Sequence, residues 1–494
     1  MSKRTILLVD YLLICISLVF TSCSSKSEKT GEKIEPKEKV NIIFILADDL
    51  GYGDLGFLGQ EYIETPNIDR LAKEGMFFNN FYSGATVCAP SRSSFLTGLH
   101  TGHTPIRGNL EVMPEGQYPM PDSIQSVAKV MQSAGYRTGA FGKWGLGFIG
   151  TSGDPNKQGF DEFYGYNCQR YAHRYYPSHL WHNDEKIVLE GNGWMEKTVY
   201  APDEIQKETI TFLEKNKENP FFLFMPIVMP HAELASPDDE IFQKYRAKFT
   251  KEKSFPAREG SEYGPDLNIS GYQSQAYPHA TFAAMVGRID RYVGEVLTKL
   301  EELGLVENTL IIFASDNGAH QEGGADPDFF NSNGPYRGYK RDLYEGGVRT
   351  PMIAWWPNKI KAGSQGDHIS AFWDLLPTFA EVAGAEIPKN IDGISFLPAL
   401  LGNKDQQEHE YLYWEFHEQG GKQAVRQGKW KAVKLQVFGI ATPVIELYDL
   451  SADIGEEHDI ADQYPEKVKE LEELMNSAHR PNPVFGLLPN ERKE

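Results

Sequence analysis

A nearly unbroken apolar run, Val40-Asn41-Ile42-Ile43-Phe44-Ile45-Leu46-Ala47, ends at once in two carboxylates, Asp48-Asp49. A run this short with no polar face reads as a strand covered on both sides, the mark of a largely parallel sheet. The arrangement recurs where Thr309-Leu310-Ile311-Ile312-Phe313-Ala314-Ser315 runs straight into Asp316-Asn317-Gly318. Tyr136 to Phe141, Pro220 to Met225 and Met352 to Trp356 read as further strands. Helical spacing marks Pro121 to Ala134 (Ile124, Val127, Ala128, Met131), Tyr277 to Leu303 and Ala371 to Gly384. Strands alternating with helices specify an α/β fold built on a doubly wound sheet.

From about Glu408 the pattern changes. Tyr411 to Phe416, Lys422 to Lys434 and Val444 to Asp449 are strand-like and closely spaced, and a Glu/Lys-rich helix is predicted over Pro465 to Ala478. The expected organisation is a large α/β domain over 39–404 and a small antiparallel sheet with one covering helix over 405–494.

The N-terminus reads as a targeting segment. Lys3 and Arg4 precede a mostly apolar stretch from Thr5 to Phe20, broken by Asp10, which ends Phe20-Thr21-Ser22-Cys23. Small residues just before a cysteine suit signal cleavage with lipid attachment to that cysteine, so this segment resembles a bacterial lipoprotein signal. A plain secretory signal or a single anchor is the alternative. The expectation is a signal over 1–22, a lipidated Cys23, and a Ser/Lys/Glu-rich tether over 23–38. The protein would then be exported and lipid-anchored, in the periplasm or at the outer-membrane surface, touching the membrane only through its lipid. Cys88 and Cys168 would remain for the folded part, a weak basis for a disulfide scaffold.

At 494 residues, with 40% hydrophobic residues and a formal net charge of -20, the chain is neither disordered, collagen-like nor a multi-span membrane protein. The acidic balance argues against nucleic acid as a partner. An anionic small substrate stays open, because a local cluster of cations decides that.

Three motifs carry chemistry. Cys88-Ala89-Pro90-Ser91-Arg92 has Pro near the start of a helix-tolerant stretch, which suggests a helix N-terminus, an end that favours anions. Cys88 and Arg92, four apart, would share one face; a buried structural cysteine beside an exposed arginine is the plainer reading. Asp48-Asp49 and Asp316-Asn317 follow buried strands. Each alone reads as a capped turn, but together they form an all-oxygen set where strand ends converge, suited to Ca²⁺ or Mg²⁺ rather than Zn²⁺. Gly142-Lys143-Trp144-Gly145-Leu146-Gly147, Met229-Pro230-His231 and the Gly334 to Gly347 loop, with Arg337, Lys340, Arg341 and Glu345, supply cations; each alone reads as a surface loop.

Taken together these residues resemble the type I, formylglycine-dependent sulfatases of the alkaline-phosphatase-like superfamily, bacterial glycan-degrading lipoproteins among them, from about Asn41 to Asp449. The C-x-P-S-R signature is met by Cys88, Pro90, Ser91 and Arg92, with Leu96-Thr97-Gly98 following. The resemblance implies a large, mixed, mostly parallel sheet sandwiched by helices, with the catalytic domain at 39–404. It implies that a maturation enzyme oxidises Cys88 to formylglycine, and that Asp48, Asp49, the modified Cys88, Asp316 and Asn317 hold Ca²⁺, or Mg²⁺. It assigns sulfate binding and catalysis to Arg92, Lys143, His231 and Lys340, with His231 as general acid. A hydroxyl of the hydrated aldehyde would attack sulfur, and loss of the second hydroxyl's proton would release sulfate. There is one departure: the family's G-K-W-H-L-G carries His where this chain has Gly145, and His173 or His320 is a candidate replacement.

The implied substrate is a sulfated saccharide, galactose or N-acetylgalactosamine sulfate by resemblance to the bacterial enzymes. Tyr164 to His173 is rich in aromatic and hydrogen-bonding groups, so Arg170 and His173 are candidates for the sugar pocket, followed by Arg107 and His320; loop packing explains them equally. A phosphodiesterase or phosphonate hydrolase of the same superfamily, and a non-catalytic glycan-binding lipoprotein, are the alternatives.

Overall fold

The computed structural model describes residues 39–193, 196–257 and 271–492. The expected signal, Cys23 and the tether lie outside these residues. Among the described residues no helix is long and apolar enough to cross a membrane.

A ten-stranded sheet runs in the order Ser364–Gly366, Met76–Phe78, Met352–Trp355, Thr309–Ser315, Asn41–Asp48, Phe221–Pro230, Arg137–Lys143, Glu162–Tyr166, His179–His182, Glu185–Val188. The strands from Thr309–Ser315 through Glu162–Tyr166 are mutually parallel, and antiparallel pairs flank them on both sides. Side chains of Asn41–Asp48 alternate between two cores. Ile43, Ile45 and Ala47 face one that includes the helices Pro66–Glu74, Ala201–Asn216 and Pro278–Glu302. Ile42, Phe44 and Leu46 face the other, against Cys88–Thr97, Val127–Ser133 and Leu375–Ala383. Burial on both faces is why these strands carry no polar alternation.

The register slips once where it matters. Leu46 pairs with Pro226, but Asp48 pairs with Pro230. The bulged strand brings Pro230, and so His231, level with Asp48.

The C-terminal sheet is antiparallel, in the order Leu412–Phe416, Lys422–Gln427, Trp430–Leu435, Val444–Asp449. The helix Pro465–Ala478 covers one face through Leu471, Met475 and Ala478. The other face packs on Tyr82, Val87, Leu343 and Trp373, directly behind residue 88.

Three boundaries differ from the sequence reading. The Lys422 to Lys434 stretch is two strands joined at Gly428-Lys429. The helix expected from Pro121 begins at Val127, because the Ser126 side chain accepts from Lys129 N–H and caps it there. Tyr164 to Tyr166, read with a loop, belongs to a strand paired with Arg137–Lys143.

Candidate active site

The C-terminal edge of the parallel strands gathers the chemistry. Asp48 and Asp49 end one strand, Asp316 and Asn317 follow its neighbour, His231 follows a third and Lys143 ends a fourth. The helix Cys88–Thr97 starts beneath them, extended backbone at Val87 turning into helix at residue 88 and left-handed Gly98 ending it. One helical turn separates Cys88 from Arg92, so both face the cluster.

Cys88 Sγ lies 3.1 Å from Asp48 Oδ1 and 3.5 Å from Lys143 Nζ. Lys143 Nζ donates to Asp48 Oδ2 at 2.5 Å. Arg92 donates from Nη2 to Asp48 Oδ2 at 3.0 Å, from Nη2 and Nε to Asp316 Oδ2 at 2.9 and 3.1 Å, and from Nη1 to the Lys143 carbonyl. With its fork taken up by two carboxylates and a carbonyl, Arg92 holds the acidic groups in place. Asp49 adopts φ 65°, and its N–H donates to Asp316 Oδ1 at 3.1 Å. Asn317 Nδ2 donates to Asp49 Oδ1 at 2.7 Å. Cys88 and Cys168 are both unpaired.

On the far side Lys340 Nζ donates to Asp49 Oδ2 at 2.8 Å and to His231 Nε2 at 3.0 Å, and lies 3.5 Å from Glu322 Oε2. His231 Nδ1 faces the Ala232 carbonyl, which can only accept, so Nδ1 carries the proton and Nε2 accepts from Lys340. His173 stacks on His231 at 4.6 Å between ring centroids. His320 Nδ1 accepts from Glu322 N–H, so its Nε2–H donates to the Pro230 carbonyl at 3.1 Å.

Burial and charge set the ionisation. Burial alone would raise the Asp48 carboxyl, but Lys143, then His231, Arg92 and Lys340, hold it well below the usual range. Burial and the adjacent Asp48 raise Asp316 to about 7 against the pull of Arg92. Lys340 is raised well above its usual value despite burial, by Asp49, position 88 and Glu322. Burial, then Lys340 and Lys143, lower His231.

The residues fit a divalent cation. Asp48, Asp49, residue 88 and His231 have ligand atoms within 4.8 Å of one another. The decisive atom is Asn317 Oδ1, which is buried with no hydrogen-bond partner among the described residues, an acceptor that awaits a cation or a donor.

A cavity of about 620 Å³ opens beside the cluster, lined by Arg170, His173, Tyr272 and Glu322 among others. Arg170 is paired there with Glu111 at 2.8 Å. Arg107 is not among the lining residues; it donates to Glu415 Oε2 and to the Thr104 and Arg480 carbonyls, at the C-terminal sheet. A larger cavity, about 830 Å³, between Ala201–Asn216 and Pro278–Glu302 shares no residue with this cluster, so size does not mark the site. Glu322 and Tyr272, whose hydroxyl donates to Glu322 Oε2 at 3.3 Å, were missed by sequence reasoning, since no local motif surrounds either.

The sulfatase family profile matches residues 40–385, and the profile of the N-sulphoglucosamine sulphohydrolase C-terminal region matches 336–480. The chain belongs to the sulfatase family. Among its sulfatase relatives is the dog N-acetylgalactosamine-6-sulfatase, 34% identical over 74% of this chain. The chain spans 66% of that enzyme's length. The N-acetylgalactosamine-6-O-sulfatase of Bacteroides thetaiotaomicron is 30% identical, with 93% of this chain and 96% of that protein covered. The crystal structure of Ps i-CgsB in complex with k-i-k-neocarrahexaose superposes with a TM-score of 0.75 at 30% identity, covering 92% of this chain and 96% of that one. A phosphonate monoester hydrolase of Agrobacterium radiobacter shares the fold at 19% identity and a TM-score of 0.62.

Proposed function

We propose that this sulfatase removes sulfate from galacto-configured sugars, N-acetylgalactosamine 6-sulfate or galactose 6-sulfate, derived from sulfated glycans. The observation that carries the chemistry is residue 88, at a helix start between Asp48 and Lys143 and facing the same cluster as the unpartnered Asn317 Oδ1. The sugar is supported by the 6-sulfatase relatives and by the lining of the cavity next to His231.

Cys88 is read as the site of oxidation to formylglycine by a maturation enzyme, which supplies a hydrated aldehyde as nucleophile. Asp48, Asp49, residue 88, Asp316 and Asn317 would hold Ca²⁺, or Mg²⁺, which when bound supplies Lewis-acid stabilisation of sulfate oxygens. Lys143, buried against Asp48, keeps a positive charge beside position 88 where charge develops. Arg92 positions Asp48 and Asp316. On the leaving-group side the proton sits on Lys340 Nζ, while His231 Nε2 is the acceptor through which it is oriented. This refines the sequence reading, in which His231 alone was the acid: the Lys340–His231 pair protonates the leaving oxygen. His173, Tyr272 and Glu322 border the space for the sugar.

The test is sulfate release by matured protein, with conversion at residue 88 verified by mass spectrometry. Galacto-configured 6-sulfates should be cleaved at least about tenfold faster than the gluco epimer, and phosphate esters of the same sugars should be poor substrates. Fully converted protein that releases no sulfate from any of these sugars would overturn the reading. We also read the chain as exported and anchored through a lipid on Cys23. Cys23→Ala should then move the protein from the membrane fraction to the soluble fraction; an unchanged distribution would sink the anchor.

A further inference from the structure

Gly145 stands where the family carries an imidazole, two residues beyond a lysine whose ammonium is 3.5 Å from Cys88 Sγ. The space is filled from the turn that follows the strand Glu162–Tyr166. Gly145 sits at φ +82°, and a Cβ built there would lie 2.5 Å from Gln169 Cγ and 2.6 Å from Gln169 Nε2. The Gln169 side chain therefore occupies the volume into which residue 145 would project. Two contacts keep the segments in place: Gly145 N–H donates to the Asn167 carbonyl at 3.0 Å, and Gln169 N–H to Gln117 Oε1 at 3.2 Å. Gln169 is 5% exposed, and its Nε2 has no hydrogen-bond partner among the described residues. A buried amide nitrogen with two N–H groups and no acceptor is rare in folded proteins unless a ligand completes it.

We propose that Gln169 Nε2, in the space the family's imidazole would fill, hydrogen-bonds an oxygen of the sulfate group held against residue 88. This rests on the sulfatase reading. Of the replacements foreseen from sequence, His320 has both ring nitrogens taken by the Pro230 carbonyl and Glu322 N–H, and His173 stacks on His231 and lines the sugar cavity. An amide donates without titrating, so Gln169 orients and stabilises oxygen but takes no proton. Proton transfer stays with other groups.

The test uses matured, full-length protein, with inorganic sulfate as the calorimetric probe and an aryl sulfate for turnover. Gln169→Met keeps length and bulk but removes both donors. It should weaken sulfate binding about tenfold and lower kcat about a hundredfold, the scale of losing one oxyanion donor, with an unchanged unfolding midpoint. Gln169→His, which keeps an N–H donor in that space and leaves the left-handed Gly145 untouched, should retain part of kcat. It decides the matter if Gln169→Met does not fold. If Gln169 merely packs against Gly145, Met fills the same volume, and parental sulfate affinity and kcat in Gln169→Met overturn the proposal. A parent that neither binds sulfate nor turns over removes the sulfatase reading and this proposal with it; an active parent with an unaffected Gln169→Met removes this proposal alone.

Discussion

Cys88 and Lys143 show how little freedom a single side chain has here. Both are buried, Lys143 completely, and Lys143 reaches Asp48 and Cys88 Sγ together. Burial, then Asp48, raises the unmodified Cys88 thiol well above its usual value, so as a plain thiol it is a poor nucleophile in this setting. Its placement makes sense if another functional group replaces the sulfur. Cys88→Ala should abolish sulfate release from the sugar 6-sulfates while leaving the chain folded, since it removes a small side chain without exposing Asp48, which stays paired with Lys143 and Arg92. Turnover by Cys88→Ala at the parental rate would dismiss the nucleophile assignment.

Between elements, buried charge ties the C-terminal sheet to the site. Lys431 on that sheet pairs with Glu345 at 2.8 Å and with Glu456 at 3.0 Å, and Glu345 N–H donates to Glu456 Oε2 at 2.6 Å. Two carboxylates sharing one ammonium cannot both ionise cheaply. Burial, and Glu345 alongside, raise Glu456 to about 7 from a usual 4.5 despite Lys431. Burial would raise Glu345 too, but Lys431 and Arg349 hold it at about 2. A raised carboxyl binds its proton more tightly in the folded state. Its stabilising effect is complete below pH 4.5 and lost as pH rises through about 7. Glu456→Gln should therefore match the parent near pH 4 and be more stable at pH 8, by on the order of 2 kcal/mol. Urea unfolding at the two pH values checks this; equal stability at pH 8 would show that Glu456 ionises freely.

At the scale of the molecule, the acidic cluster is assembled from chain segments far apart in sequence: Asp48 and Asp49, Asp316 and Asn317, and residue 88. A cation bound there stabilises only the folded arrangement. Exhaustive treatment with a calcium chelator should therefore abolish sulfate release and lower the thermal unfolding midpoint, and added Ca²⁺ should restore both. Unchanged activity and midpoint after chelation would argue against a resident metal.

Read from the sequence alone, the unbroken strands ending in Asp48-Asp49 and Asp316-Asn317-Gly318 determined an α/β sheet with carboxylates at its edge, and the proline in Cys88-Ala89-Pro90-Ser91-Arg92 marked a helix start. These features are local: strand burial, helix capping and strand-end placement are written within a few residues. Tertiary structure decided the rest. It turned Arg92 inward onto two carboxylates, set Lys340 against His231, brought Glu322 and Tyr272 to the pocket, placed Arg107 at the C-terminal sheet and slid Gln169 into the space at Gly145. Such pairings join residues whose separation along the chain carries no periodic signal. They depend on strand register, on the bulge before His231 and on loop paths, which only the packed sheet defines.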